Sequence, residues 1–414
     1  MKAHQSISRR AFLGVSAAAA GGAAAFAQQS PAKEKTTVKT EYWMHGFKGD
    51  DPKALAREMA DMGFNVVVAG GEPVIDAVRE AGMRSWLCGG AFGLGSHKDD
   101  DSYKALDITG KPRVWFGSGS PNHPELRENN LKSYENMAKT EGIEGILVDG
   151  CRFASPASGL GAFFTDFSEH SGKKAAELDF DWTRMKKDVG KLHRLVSSRG
   201  KEATRRRAWL QQPIGILEWL TQHPGVLDWF RFRRVCATEH FRDIHQILHS
   251  AGVKMGVYIF TPSLAPLVGQ SYTDLPEFVD VFAPMIYRNY PDRPGIACLN
   301  WELSIIPEEL GLGGGPDEAA AMELCLRLLG LEYAVQSREL AAIQKAVPPG
   351  AVGHETAMAR AVLGENETLI PIIYIDDPKM EETAEAVRAA GADGVNFFVY
   401  KDEWARMVRP AFSG

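Results

Sequence analysis

Eight short apolar runs punctuate the chain, separated by stretches whose apolar residues recur at helical spacing. The runs are EYWMHG (41–46), NVVVA (65–69), RSWL (84–87), IEGILVD (143–149), KMGVYIF (254–260), DVFAPMIY (280–287), LIPIIYID (369–376) and GVNFFVY (394–400). Gly63, Gly82 and Gly252 each stand between a helical stretch and the next apolar run. A helix closed by glycine and followed by a β-branched or aromatic run is the αβ unit. Its repetition predicts an α/β fold, a (β/α)8 TIM barrel, with large insertions after strands 3, 4 and 6 (residues 90–125, 150–225 and 288–367). ALDITGKPRVWF in the first insertion reads as two short strands around a Thr-Gly turn. The third insertion reads as a Gly/Pro loop, GLGGGPDEA, and one long helix from about Asp317 to Ala346. No boundary splits 41–414, so a single barrel domain is expected there.

Residues 1–40 stand apart. Ser8-Arg9-Arg10-Ala11-Phe12-Leu13 resembles a twin-arginine export signal, and Ala25-Phe26-Ala27 has the small-x-small form of a cleavage site. This predicts a signal peptide over 1–27, a polar linker over 28–40, engagement of the Tat export machinery and a periplasmic or secreted protein. No later run is long and apolar enough to span a bilayer, so no stable membrane insertion is expected.

A net charge of −6 gives no reason to expect nucleic acid or an anionic membrane as partner, and Arg205-Arg206-Arg207 reads as a solvated face. The five cysteines fit no metal spacing. On the helix before strand 5, His245 and His249 share a face but His240 is turned away, so no metal is expected. Glu239 on that helix reads as outer surface. Gly311–Gly315 lacks the strand and Lys-Ser/Thr of a phosphate loop, and no G-x-G-x-x-G follows the first strand, which argues against a nicotinamide enzyme.

In a barrel of this kind chemistry sits at the C-terminal strand ends. Projecting each run there gives His45 from strand 1, Asp149 from strand 4, Tyr258 from strand 5 and Tyr287 from strand 6. Strand 7 adds Tyr374 and Asp376, and strand 8 adds Asn396, Phe398 and Tyr400. Tyr374 and Asp376 share a face because side chains alternate, whereas Asp377 points elsewhere, toward a turn into Pro378. Asp149 closes an almost wholly apolar strand. Arg152, three residues on, is expected to pair with it, lower its pKa and keep it ionised. Strands 4 and 7 face each other across a barrel, so Asp149 and Asp376 form a candidate carboxylate pair for acid/base cleavage of a glycosidic bond. His45, Arg152, Tyr258, Tyr287, Tyr374, Asn396 and Tyr400 are candidate carbohydrate-binding residues.

SPNHPELRENNLKSY, GIEGILVDGCRF, LDWFRFRRVCATEHFRDIHQIL before KMGVYIF, and VDVFAPMIYRNY occur in the order and spacing of the exported glycosyl-hydrolase-like barrels of bacteria, which the chain resembles. The resemblance implies a TIM barrel acting on carbohydrate, with a functional acid at Asp149. The chain departs from retaining barrels that carry glutamates after strands 4 and 7, having aspartates instead. The expectation is an exported glycoside hydrolase of poly- or oligosaccharides that needs no cofactor, with Asp149 ionised and Asp376 as proton donor. The rival reading is a barrel that binds carbohydrate without cleaving it.

Overall fold

In the computed structural model the apolar runs become β1 (Glu41–His45), β2 (Val66–Val68), β3 (Arg84–Gly89), β4 (Ile143–Val148), β5 (Lys254–Phe260) and β6 (Val281–Met285). They are followed by β7 (Thr368–Leu369 and Ile372–Tyr374) and β8 (Gly394–Phe398). The structure describes residues 40–198, 213–292, 298–309 and 318–412. The expected signal peptide, the linker up to residue 39, Arg205–Arg207 and Gly311–Gly315 lie outside them. Every strand pairs in parallel with its neighbours, and β8 pairs with β1, His45 beside Phe398, which closes a (β/α)8 barrel. β7 is broken at Ile370-Pro371, where proline has no N–H to give a ladder. Residues Thr40–Gly414 form one compact unit.

The barrel interior fills in layers. Trp43 and Trp86 meet at its centre, ring centroids 5.1 Å apart. Their indole N–H groups donate to Glu41 (2.9 Å) and Glu144 (2.8 Å) at the N-terminal end of the barrel. Arg84 and Lys254 neutralise those carboxylates there. Two bulky rings leave no room on the facing strands. A Cβ on Gly145 would sit 2.5 Å from the Trp86 ring, and one on Gly256 would sit 2.7 Å from Leu147. Glycine is required at both positions by packing rather than by backbone angle.

The first βα unit follows its sequence signals closely. Asp51 caps the helix Pro52–Met62 by accepting from the Ala54 N–H, Pro52 opens it, and Gly63 closes it at φ 108°. The expected Thr-Gly hairpin is present as Ala105–Leu106 paired antiparallel with Pro112–Arg113. The third insertion differs from expectation. The single long helix is two, Glu318–Leu328 and Leu340–Lys345, interrupted where Gly330 turns left-handed at φ 71°. Two further helices, Leu299–Glu309 and Pro349–Leu363, flank them.

The insertion after β4 builds a second apolar core against the helix Pro224–Ser250. Phe153, Phe163, Phe164, Met185, Trp229 and Phe232 are its centre. The buried Arg233 lies 4.5 Å from the Trp229 ring and donates to the Leu267 and Ala154 carbonyls. His240 is also buried, bonded to Asn130 (2.7 Å) and packed on Phe92. His245 and His249 stack on each other. Glu239 pairs with Lys174 and Arg127 on the outer ring. The five cysteines carry no disulfide. Among the described residues no group of side chains has the arrangement of a metal site, and no helix is long and apolar enough to cross a membrane.

Candidate active site

The strand register decides which side chains enter the mouth. Cβ atoms on Gly145 and Gly256 would strike Trp86 inside the barrel, so those positions point inward. Alternation then directs Leu147 and Asp149 inward on β4, and Tyr258 on β5. Val148 pairs with Val257, which places Asp149 beside Tyr258 at the next step. Pairing around the closed sheet extends the inward set to Tyr287, Tyr374, Asp376, Asn396, Phe398, His45 and Cys88.

Asp149 is partly exposed at the edge of a cleft of about 370 Å³ on the β3–β4 side of the mouth. Its own N–H donates to the Gly89 carbonyl (2.8 Å), which fixes the strand end. Burial raises its carboxyl pKa above the ordinary value, opposed in smaller measure by the Arg152 charge and the Gly150 N–H. Arg152 lowers it as expected, but the net shift is upward rather than downward. Desolvation outweighs the cation. Cys88 is solvent-accessible yet ringed by protein, so desolvation and then the Asp149 charge raise its thiol.

Arg152 divides its charge. Its guanidinium is buried over the Phe260 ring (4.7 Å) and donates to the Phe153 carbonyl (3.0 Å). It acts on Glu302 as well as on Asp149. Glu302, on the helix Leu299–Glu309, accepts from the Ala157 N–H (3.0 Å), and its second oxygen is buried without a partner. Burial raises its pKa to about 7 despite Ser155, Ala157 and Arg152. The sequence reading missed Glu302. It lies in an insertion where neither strand period nor motif marks it, and only its contact with the β4 loop reveals it.

The other candidates divide into two groups. Tyr258 and Asn396 are buried beneath the mouth and His45 is half-buried. The Tyr258 hydroxyl is 2.7 Å from His45 Nδ1 and accepts from Asn396 Nδ2 at 3.2 Å. Burial lowers the His45 pKa to about 4, so the ring is neutral at neutral pH. With the proton on Nε2, Tyr258 donates to Nδ1 while accepting from Asn396 Nδ2, and the Asn396 Oδ1 is left buried without a partner. His45, Phe398, Tyr287, Tyr290 and Tyr374 form a continuous aromatic belt with centroids 4.8–5.9 Å apart. Tyr258 and Tyr287, expected among the carbohydrate-binding residues, are packed too deeply to offer ring faces. Tyr400 is half-buried, its N–H bonded to the His45 carbonyl.

The two aspartates after β7 part company. Asp376 is 56% exposed and pairs with Lys401 at 3.1 Å, and the same ammonium donates to the Tyr374 hydroxyl at 2.8 Å. Asp377 is buried and accepts twice from Arg288 (2.5 and 2.7 Å), and also from Thr383 and from the Lys379 N–H. It anchors the loop and the helix that follows.

No family model matches the chain, and no curated protein matches its sequence. Among solved structures it is similar to the catalytic domain of β-amylase from Paenibacillus polymyxa (13% identity, TM-score 0.47, covering 90% of this chain and 94% of that one). It is also similar to the PgaB (BpsB) glycoside hydrolase domain from Bordetella bronchiseptica (15%, TM-score 0.49, 90% and 97%). A third is the 3-keto-D-glucoside 4-epimerase YcjR from E. coli (13%, TM-score 0.36, 91% and 98%). Likeness this remote extends across hydrolases and an epimerase and carries no argument about chemistry. The class defined by the coordinates is a closed (β/α)8 barrel with an acidic, aromatic-lined mouth.

Proposed function

We propose that the chain is an exported glycoside hydrolase that cleaves a poly- or oligosaccharide at the C-terminal mouth of the barrel. The observation that carries this reading is Asp149: an inward-facing, desolvated carboxyl at a strand end, open to a cleft, with a shifted pKa. A raised pKa suits the group that protonates the departing glycosidic oxygen. Asp376, solvent-facing beside Lys401, is the counterpart that acts on the sugar carbon directly or through water. The roles are thus reversed from those expected of the sequence, because burial selects the acid. Glu302 holds the β4 loop through the Ala157 N–H, and Arg152 supplies the opposing charge at Asp149. The twin-arginine motif at Arg9-Arg10 supports export.

The test is release of reducing ends from a panel of soluble polysaccharides by wild type, Asp149→Asn and Asp376→Asn. Loss of release in both variants, with circular dichroism unchanged, supports the assignment. Turnover by Asp149→Asn at the wild-type rate sinks it. Oligosaccharide binding by wild type without any product moves the non-catalytic reading ahead.

A further inference from the structure

Trp115, Phe116, Gly117 and Ser118 form a tight turn at the edge of the cleft that Asp149 opens on. The Ser118 N–H donates to the Trp115 carbonyl (2.9 Å), with both central residues left-handed, Phe116 at φ 49° and Gly117 at φ 73°. That is the turn whose first central position belongs to Asn, Asp or Gly. An L-residue with a bulky side chain is strained there, its Cβ crowding the following carbonyl. Phe116 also leaves 62% of its surface in water. Two local costs fall on one residue, and its place gives the reason for both.

The turn is held rigidly. Trp115 is buried, Leu94 donates to the Gly117 carbonyl (3.0 Å), and Gly119 donates to the Phe92 carbonyl (2.9 Å). In the lining of the same cleft, Asn129 and Ser133 lie exposed and one turn apart on the helix Pro124–Met137, so they share a face. Asn130 is fixed beside them by its bonds to Gly90 and His240. An apolar plate in one cleft with amide and hydroxyl groups matches one ligand chemistry: a pyranose ring, with an apolar face of C–H groups and a rim of hydroxyls.

We propose that Phe116 is the stacking platform of a sugar subsite in this cleft, with Asn129 and Ser133 bonding the hydroxyl rim. This rests on the reading of the mouth as a carbohydrate site. It also explains why the buried tyrosines of the belt need not stack on substrate.

The experiment uses an array of soluble neutral and N-acetylated oligosaccharides, followed by calorimetric titration with the strongest binder. The proteins are wild type, Phe116→Ala, Phe116→Trp and Phe116→Asn. Asn suits the left-handed turn, so Phe116→Asn should match or exceed the wild-type melting temperature while binding roughly tenfold more weakly. Phe116→Ala should weaken binding similarly, and Phe116→Trp should retain it. Equal affinity in Phe116→Asn, Phe116→Ala and wild type overturns the subsite and leaves the proposed hydrolase untouched. If wild type binds no oligosaccharide on the array, both readings fall.

Discussion

At the end of β4, Asp149 sits in a desolvated pocket with Tyr258, Tyr287 and Cys88 around it. At the end of β7, Asp376 lies open to water against Lys401, while Asp377 is buried in a bidentate pair with Arg288. All three follow apolar strands in sequence. The β4 end is followed by the long insertion, whose Ala157 N–H donates to Glu302 and whose Arg152 is buried over the Phe260 ring. The β7 end has only a short turn before its helix, and that turn uses the second aspartate as its anchor. The difference teaches that a strand end fixes where a carboxylate stands, whereas the loops above it fix how much water it keeps.

The largest effect that can break this comparison is on turnover. If Asp149 is the acid, Asp149→Asn should slow hydrolysis by roughly 10²–10⁴-fold, read as reducing ends released per enzyme. A similar loss in Asp377→Asn, with native stability, would mean that the wrong β7 aspartate was assigned to the chemistry.

Next comes stability. Asp377→Ala strands the buried Arg288 charge and should cost about 3–5 kcal/mol in denaturant unfolding. Lys401→Met breaks only the exposed pair of Asp376 and should change stability by about 0–1 kcal/mol. Equal costs would erase the distinction between the two aspartates.

A third test concerns packing under the site. Gly145→Ala pushes a methyl group into Trp86 and should cost about 1–3 kcal/mol. A neutral result would mean that the tryptophan layer yields.

The smallest expected effect is the pH dependence. Glu302 holds its proton up to about 7 in the folded chain, against 4.5 for an ordinary glutamate. The folded state therefore binds more protons than the unfolded chain between these values. The stability contributed is full below about 4.5 and is lost as pH rises through about 7. Asp149, also raised, adds to the same slope. Glu302→Gln should flatten the fall in melting temperature over this window. An unchanged slope would show that Glu302 ionises normally.

Much of the frame was legible in the chain. Lys254–Phe260 begins and ends as its apolar run does, and the hairpin at Ala105–Arg113 forms around its Thr-Gly turn. The helix Pro52–Met62 carries its cap, its opening proline and its closing glycine in order. These features are local, written within a few residues of where they act. The break at Gly330 carries a closing glycine like Gly63, but no apolar strand run follows to mark it, and the helix Leu299–Glu309 has no strong period of its own.

By itself the sequence determined the alternation of strand and helix, the number of strands and which strand-end side chains share a face. Periodicity and chain direction suffice for those. Only the tertiary structure decided that Asp149 is desolvated, that Asp377 rather than Asp376 is the anchor, and that Glu302 joins Arg152 from another insertion. It also put Phe116 at the edge of the Asp149 cleft. Burial and the sharing of a charge are properties of what folds over a residue, and that covering comes from segments far away along the chain.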